Sequence, residues 1–254
     1  MSGEPSNLTQ LMKPLRLAHI TDLHLDEEFD GIEIDARRNL IAMLDDIAEK
    51  QIQDLVITGD LGTPASHQWL ANVLRAYKLR FALTLGNHDK YAEVSRHFDL
   101  QKPGSDMEHF YSYQSGSSNF IFLDTSSARI STEQSNWLTD ELQIGMRSIV
   151  FLHHPILDTG ATPQLEYPLH GSEALANLIH HSGQEVYLFC GHLHITDEQK
   201  VHKITQWVTP AGCLQVKRES PTTEILNTSY GYRIIELSDQ KVESSVRVFP
   251  ASIS

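Results

Sequence analysis

The chain has 254 residues, 40% of them hydrophobic and 21% charged, the balance of a globular protein with enough apolar material for a substantial core. Its formal charge of −13 argues against stable binding to nucleic acid, which needs a basic stripe that the sequence lacks. No apolar run approaches the roughly 20 residues that cross a bilayer, so no membrane association is expected.

Residues 1–14 are mostly polar, without the basic end and apolar centre of a secretory signal, and read as a loose arm before one domain spanning 15–254. Leu15 to Ile20 is a nearly continuous apolar run, read as the first strand, ending at Thr21-Asp22. The spacing of Leu40, Ile41, Leu44, Ile47 and Ala48 predicts a helix over about Glu33 to Gln51. Leu55 to Thr58 is a short strand closed by Gly59-Asp60. Pro64 is placed to start a second helix carrying Trp69, Leu70, Val73, Leu74 and Tyr77. Phe81 to Leu85 is a third strand, followed by Gly86-Asn87 and a helical segment near Tyr91 to Phe98.

Two antiparallel strands are expected at Phe110 to Gln114 and Asn119 to Leu123. Ser131 then reads as the cap of a helix running to about Gln143, with Gln134 at the capping-box position. Strands at Ile149 to Leu152 and Val186 to Cys190 follow, separated by a long loop, Pro155 to His170, and a helix from about Ser172 to His181. The last sixty residues read as strands at Gln206 to Val208, Cys213 to Val216, Tyr232 to Leu237 and Val242 to Val248. Cys190 and Cys213 are the only cysteines, too few for a disulfide framework, and are read as buried reduced thiols in a cytoplasmic protein.

Short apolar strands alternating with amphipathic helices imply a largely parallel sheet covered on both faces, and the strand-rich tail suggests a second sheet packed on the first. Five stretches stand directly after apolar runs: Asp22-Leu23-His24, Gly59-Asp60, Gly86-Asn87-His88-Asp89, His153-His154-Pro155 and Gly191-His192-Leu193-His194. Singly, each has a plain structural explanation as a turn or loop pair. Ligands of open α/β sheets bind beyond the carboxyl ends of the strands, however, so the five together converge on one edge. Six of the 14 histidines fall in them, and imidazole, carboxylate and amide donors together suit a transition metal better than calcium.

This ordered set resembles the five-part signature of the calcineurin-like metallophosphoesterases, complete from Leu17 to about Ile195. Within that superfamily the chain looks most like bacterial class III cyclic-nucleotide phosphodiesterases and glycerophosphodiesterases, on its compact length, His153-His154-Pro155 and Thr209-Pro210-Ala211-Gly212-Cys213. The resemblance implies a four-layer αββα sandwich of two mixed sheets flanked by helices. It implies that Asp22, His24 and His194 hold one metal, that Asn87, His153 and His192 hold the other, and that Asp60 bridges them. The metals would be two transition-metal ions from among Mn, Fe, Zn and Co.

With two divalent ions, two aspartates and one hydroxide, such a centre keeps a net charge of about +1, suited to an anionic phosphodiester despite the acidic chain. The expected reaction is in-line attack on phosphorus by a hydroxide bridging ions about 3.5–4 Å apart. His88 resembles the family's substrate-facing histidine, a proton donor or charge stabiliser, and Asp89 is the candidate to orient it. Asn87, His88 and His154 are candidates to touch substrate, although His154 is equally read as a supporting or simple loop residue. The loop with Asp158, Glu166 and Tyr167 is the expected place for specificity. A small phosphodiester is the expected partner, 3′,5′-cyclic nucleotide first and glycerophosphodiesters next. A nucleotide-linked lipid precursor is disfavoured by the lack of a membrane-facing helix, and a silent scaffold by the absence of any lost ligand. Such relatives often dimerise, so a homodimer is a further expectation.

Overall fold

The computed structural model describes residues 14–29, 31–100 and 107–251, so all of the expected arm but Pro14 lies outside the described residues. In chain order the elements are β1 (Leu15–Ile20), α1 (Ala36–Glu49), β2 (Asp54–Thr58), α2 (His67–Ala76), β3 (Arg80–Thr84) and α3 (Tyr91–Val94). Next come β4 (Tyr111–Ser115), β5 (Ser118–Phe122), α4 (Thr132–Leu142), β6 (Arg147–Phe151), α5 (Thr162–Glu166), α6 (Ser172–His181) and β7 (Val186–Cys190). The rest is β8 (Asp197–Val201), β9 (Ile204–Val208), β10 (Gln215–Val216), β11 (Ile225–Leu226), β12 (Ser229–Leu237) and β13 (Val242–Pro250).

Two large mixed sheets result. One has the order β13-β12-β1-β2-β3, parallel from β1 to β3 with antiparallel β12 and β13 closing one side. The other has the order β4-β5-β6-β7-β9-β8, parallel from β5 through β9 with antiparallel strands at both edges. The second sheet is thus built from the middle of the chain. The strand-rich tail does not form the second large sheet that the sequence suggested; it is shared, β8 and β9 joining one large sheet and β12 and β13 the other, while β10 and β11 pair as a small two-stranded sheet. Hydrophobic pattern shows how many strands exist, whereas partner choice depends on long-range docking.

Strict alternation divides the core in two. Leu17, Val56 and Ile235 of the first sheet meet Phe120, Phe122, Ile149, Phe151, Phe189 and Trp207 of the second. The aromatic rings step across neighbouring strands, with centroids 5.2 Å apart for Phe122–Phe151, 5.4 Å for Phe151–Phe189 and 4.9 Å for Phe189–Trp207. Ala18, Ile20, Leu55, Ile57, Ile121, Val150 and Leu188, at the alternate positions, join the helices' apolar faces in a separate cluster. In α1 the buried residues Leu40, Met43, Leu44 and Ile47 recur at helical spacing, and Asp35 caps the helix through Arg38 N–H at 2.9 Å. Each such side chain contributes about 1.5–3 kcal/mol on burial, and Leu44→Ala would cost about 2–5 kcal/mol.

Several local readings change. Pro64 lies in a turn, and α2 starts at His67. The long loop contains α5, and α3 is a single turn. Ser131 caps α4 as expected, accepting from Gln134 N–H at 3.1 Å. The Gln134 side chain instead brackets Asp124, accepting from its N–H and donating to its carbonyl oxygen. Cys190 and Cys213 are free and buried.

One polar chain crosses the inter-sheet core. Arg233 Nε donates to Thr209 Oγ1 at 3.1 Å, Thr209 Oγ1 lies 2.7 Å from His19 Nδ1, and His19 Nε2 lies 2.8 Å from Thr58 Oγ1. Burial, with Arg233 beside it, pushes His19 down to about 3, so the ring is neutral.

Candidate metal centre

All five stretches leave the carboxyl ends of parallel strands: β1, β2 and β3 in one sheet, β6 and β7 in the other. The chain must turn sharply there to aim side chains back over the strand ends. Asp22, His24, Asp60, His192 and His194 accordingly have φ of 51°, 42°, 52°, 69° and 50°. Left-handed backbone at a non-glycine residue costs on the order of 1–3 kcal/mol and persists only where the surroundings enforce it. The motif glycines are required by close approach. A Cβ on Gly191 would stand 2.0 Å from Thr21 Oγ1 and 2.4 Å from Asp22 Oδ2, and one on Gly86 2.2 Å from Asp60 Oδ1.

The seven expected donors come together. His194 Nε2 lies 3.4 Å from Asp22 Oδ1 and 3.2 Å from His24 Nε2, which is 3.5 Å from Asp60 Oδ2. His153 Nε2 lies 3.3 Å from Asp60 Oδ2, 3.0 Å from Asn87 Oδ1 and 3.2 Å from His192 Nδ1. Asp60 is thus common to two neighbouring groups. Asp22, His24, Asp60 and Asn87 follow strands of the five-stranded sheet, while His153, His192 and His194 follow strands of the six-stranded one.

The outer nitrogen of every imidazole in the cluster is already engaged. His153 Nδ1 reaches the Thr58 carbonyl oxygen at 2.7 Å, His194 Nδ1 that of Leu214 at 3.0 Å, and His192 Nε2 that of Tyr167 at 2.8 Å. His24 Nδ1 reaches Glu27 Oε2 at 2.8 Å. A carbonyl or carboxylate partner accepts a proton from that nitrogen, which leaves the inner nitrogen with its lone pair directed inward, as metal-binding histidines require. Cys213 Sγ sits 3.8 Å from His194 Nδ1, on the outer edge of that ring.

The electrostatics favour a cation. Burial alone would raise Asp60 and Asp22, but His153 and His24 hold Asp60, and His194 and His153 hold Asp22, well below the carboxylate range. Burial would lower His153, yet Asp60 and Asp22 bring it up to about 9. His192, with burial and His153 against it, is pushed down to about 4. The same carboxylate field that attracts protons here attracts metal ions, and the mixed N and O donor set fits divalent transition metals. Among the described residues, Asp22, His24 and Asp60 form one of three groups whose ligand atoms lie within 4.8 Å of one another.

Two expected roles change. Asp89 is buried and does not face the His88 ring. Its Oδ2 accepts from Asp60 N–H at 2.7 Å and Gly86 N–H at 2.9 Å, and its Oδ1 from Leu61 N–H at 3.0 Å. Burial and the Asp60 carboxylate push it up to about 7 against those amides. His154 is 1% exposed, bonded to Thr125 Oγ1 at 3.0 Å, with its ring 4.0 Å from that of His192. Burial, with His192 and His153 nearby, keeps it neutral. Its burial against the His192 ring fits the supporting role among the readings given for it. The carboxylate beside His88 is Glu27, whose Oε2 is 3.3 Å from His88 Nδ1; the sequence reading missed it, and its only signal was an acid three residues after His24.

Asn87 and His88 are exposed at the mouth, with the His88 ring edge-on to His24 at 4.8 Å. They line a cleft of about 410 Å³ whose other walls include Phe29, Pro163, Tyr167, Leu214, Val216 and Ile225. Pro163 and Tyr167 are the residues of the expected specificity loop that line this cleft. Glu166 instead accepts from Thr223 N–H at 3.0 Å, and Asp158 from Gly160 N–H at 2.8 Å.

Residues 15–196 match the sequence model of the calcineurin-like phosphoesterases. A probable cyclic nucleotide phosphodiesterase of Fibrobacter succinogenes is 25% identical over 240 residues, covering 92% of this chain and 94% of that protein. The glycerophosphodiester phosphodiesterase GpdQ of Enterobacter lignolyticus is 27% identical over 221 residues, covering 79% of this chain and 78% of that protein. A dimetal phosphatase from Danio rerio shares the fold at a TM-score of 0.68 and 13% identity, over 95% of this chain and all of that one. Among the described residues no helix is long and apolar enough to cross a membrane.

Proposed function

The chain belongs to the calcineurin-like phosphoesterases and is a hydrolase of phosphoric esters; we propose that its substrate is a small phosphodiester, a 3′,5′-cyclic nucleotide before others. The observation that carries this is the union of the seven-donor cluster with a cleft whose lining has apolar and aromatic walls and, among the described residues, no lysine or arginine. A diester brings one negative charge and two ester bonds to carbon, both to a single nucleoside in a 3′,5′-cyclic nucleotide. A monoester dianion gains most from an added cationic side chain, and among the described residues none lines this cleft.

Asp22, His24 and His194 would hold one metal ion and Asn87, His153 and His192 the other, with Asp60 shared. Two such ions, when bound, supply Lewis acidity to the phosphoryl oxygens and a water acidic enough to act as nucleophile at neutral pH. The chain itself does the positioning. Imidazole and amide donors bind without adding negative charge, so the centre attracts an anionic ester. His88 stands at the mouth with Nδ1 beside Glu27, which raises its pKa and favours the imidazolium, whose Nε2–H is free to protonate the departing oxygen. The Tyr167 and Phe29 rings give a flat group on the ester a surface to lie against.

The test is a comparison of kcat/KM after loading with Mn²⁺, across 3′,5′-cyclic AMP, a glycerophosphodiester and p-nitrophenyl phosphate. The cyclic nucleotide is expected to exceed the monoester by at least about tenfold, a difference of about 1.4 kcal/mol in the transition state. A glycerophosphodiester turned over faster than the cyclic nucleotide would favour the second reading, for which the Enterobacter relative is the precedent. A preference for the monoester would overturn both.

A further inference from the structure

We propose that Glu27 is a positioning residue serving both the donor cluster and the mouth of the cleft, its single carboxylate holding the rings of His24 and His88 in register. The proposal rests on the functional reading above. Glu27 Oε2 lies 2.8 Å from His24 Nδ1 and 3.3 Å from His88 Nδ1. One ring belongs to the buried cluster, 4% exposed; the other stands over the cleft with 48% of its side chain exposed. The two rings meet edge to face at 4.8 Å and 87°, so neither can turn without displacing the other or leaving the carboxylate.

The loop is built to deliver this carboxylate. Glu27 N–H donates to the His24 carbonyl oxygen at 3.1 Å, closing a turn that folds Glu27 back over the ring it serves. Asp26, at φ 61°, is held by Arg37 Nε at 2.8 Å, and the Arg37 guanidinium lies 4.6 Å from the centre of the Trp69 ring on α2. Phe29 meets His24 edge-on at 5.6 Å. The carboxylate accepts from His24 Nδ1, so that His24 presents Nε2 inward as a lone pair, and its pairing with His88 Nδ1 turns the Nε2 edge of that ring toward substrate. Asp89, the acid next to His88 in sequence, is occupied by three backbone amides, so among the described residues Glu27 is the carboxylate in place for this task.

The test uses the full chain with Glu27→Ala, Glu27→Gln, His88→Ala and the double variant Glu27→Ala/His88→Ala, each checked for an unchanged far-ultraviolet dichroism spectrum. Glu27→Ala should lower kcat by about 10–100-fold with KM within about twofold, and Glu27→Gln, whose amide oxygen still accepts, should recover part of that loss. At saturating Mn²⁺, where the weaker His24 site is filled, the double variant should be no slower than His88→Ala alone, because the remaining effect of Glu27 runs through the His88 ring. Independently of turnover, chelator competition with Mn²⁺ should show about 10–100-fold weaker binding of one ion in Glu27→Ala, through the released His24 ring.

Losses that multiply in the double variant at saturating Mn²⁺, or Mn²⁺ affinity equal to the parent's, would overturn the proposal. So would complete loss of one Mn²⁺ in both Glu27→Ala and Glu27→Gln at saturating metal, since Glu27 would then be a ligand. If the parent protein hydrolyses no phosphodiester, the functional reading fails, and the Mn²⁺ competition still decides the role of Glu27 at His24.

Discussion

Asp89 Oδ2 accepts a 2.7 Å hydrogen bond from the backbone N–H of Asp60, so the loop after β3 holds in place the residue shared by both donor groups. Asp89→Ala would leave the N–H groups of Asp60, Leu61 and Gly86 without this acceptor. The expected cost is about 2–5 kcal/mol of stability in the metal-free protein, measured by urea unfolding, with Asp89→Asn losing less because one oxygen remains. Stability within about 0.5 kcal/mol of the parent would show the carboxylate dispensable.

Gly191 and Gly183 give a matched pair. Gly183 sits at φ 69°, and a Cβ there would point into open space, whereas a Cβ on Gly191 would overlap Thr21 and Asp22. Gly183→Ala should cost about 1–2 kcal/mol from the left-handed backbone alone. Gly191→Ala should displace the Asp22 side chain and reduce bound metal below the parent's at equal protein concentration, read by mass spectrometry of the desalted protein. Equal metal content in the two variants would contradict the close packing of Gly191 on Thr21 and Asp22.

His192 and His194 are separated by one residue but face different partners: His192 Nδ1 faces His153, and His194 Nε2 faces Asp22 and His24. His192→Ala and His194→Ala should therefore each retain about one of two ions, and a different one. Loading each variant with Co²⁺ should give distinct visible spectra. Identical spectra and identical stoichiometry would mean that both imidazoles serve a single ion.

His19 should make the fold acid-sensitive well above the carboxylate range. Its folded value is pushed below the ordinary 6.5, to about 3, by burial first and then by Arg233. The unfolded chain therefore takes up a proton as pH falls below about 6.5, and the folded one does not. The stabilising difference is fully present above that pH and declines by up to about 1.4 kcal/mol per pH unit until the folded ring itself titrates. His19→Gln should flatten the stability profile between pH 6 and pH 4, whatever its stability at pH 7, in urea titrations of the metal-free protein. An unchanged slope would show that the ring is not held neutral.

Much of the site could be read before the structure because its residues follow apolar runs. A strand end is a one-dimensional feature, and Asp22, Asp60, Asn87, His153 and His192 each follow one. Glu27 was not legible in this way, since it depends on a turn that folds the chain back over His24. The role of Asp89 was misjudged for the converse reason: adjacency to His88 in sequence says nothing about where a side chain points when the backbone turns sharply between them. Strand existence was likewise visible in the alternation of residues such as Leu17 and Ala18. The assignment of β12 beside β1 was not, because an antiparallel return of more than two hundred residues leaves no local mark. The short α5 lacks the two or more turns over which helical periodicity can register.

The division of the donors between two sheets turns metal uptake into a clock for assembly. On the proposed assignment each ion takes ligands from both sheets, so neither sheet alone completes either donor set. During refolding, tight Co²⁺ capture should lag behind formation of the separate strand ladders and coincide with the burial of the aromatic row from Phe122 to Trp207. In a chain whose sheets dock imperfectly, the first thing lost would be the ability to keep its ions, well before either sheet unravels.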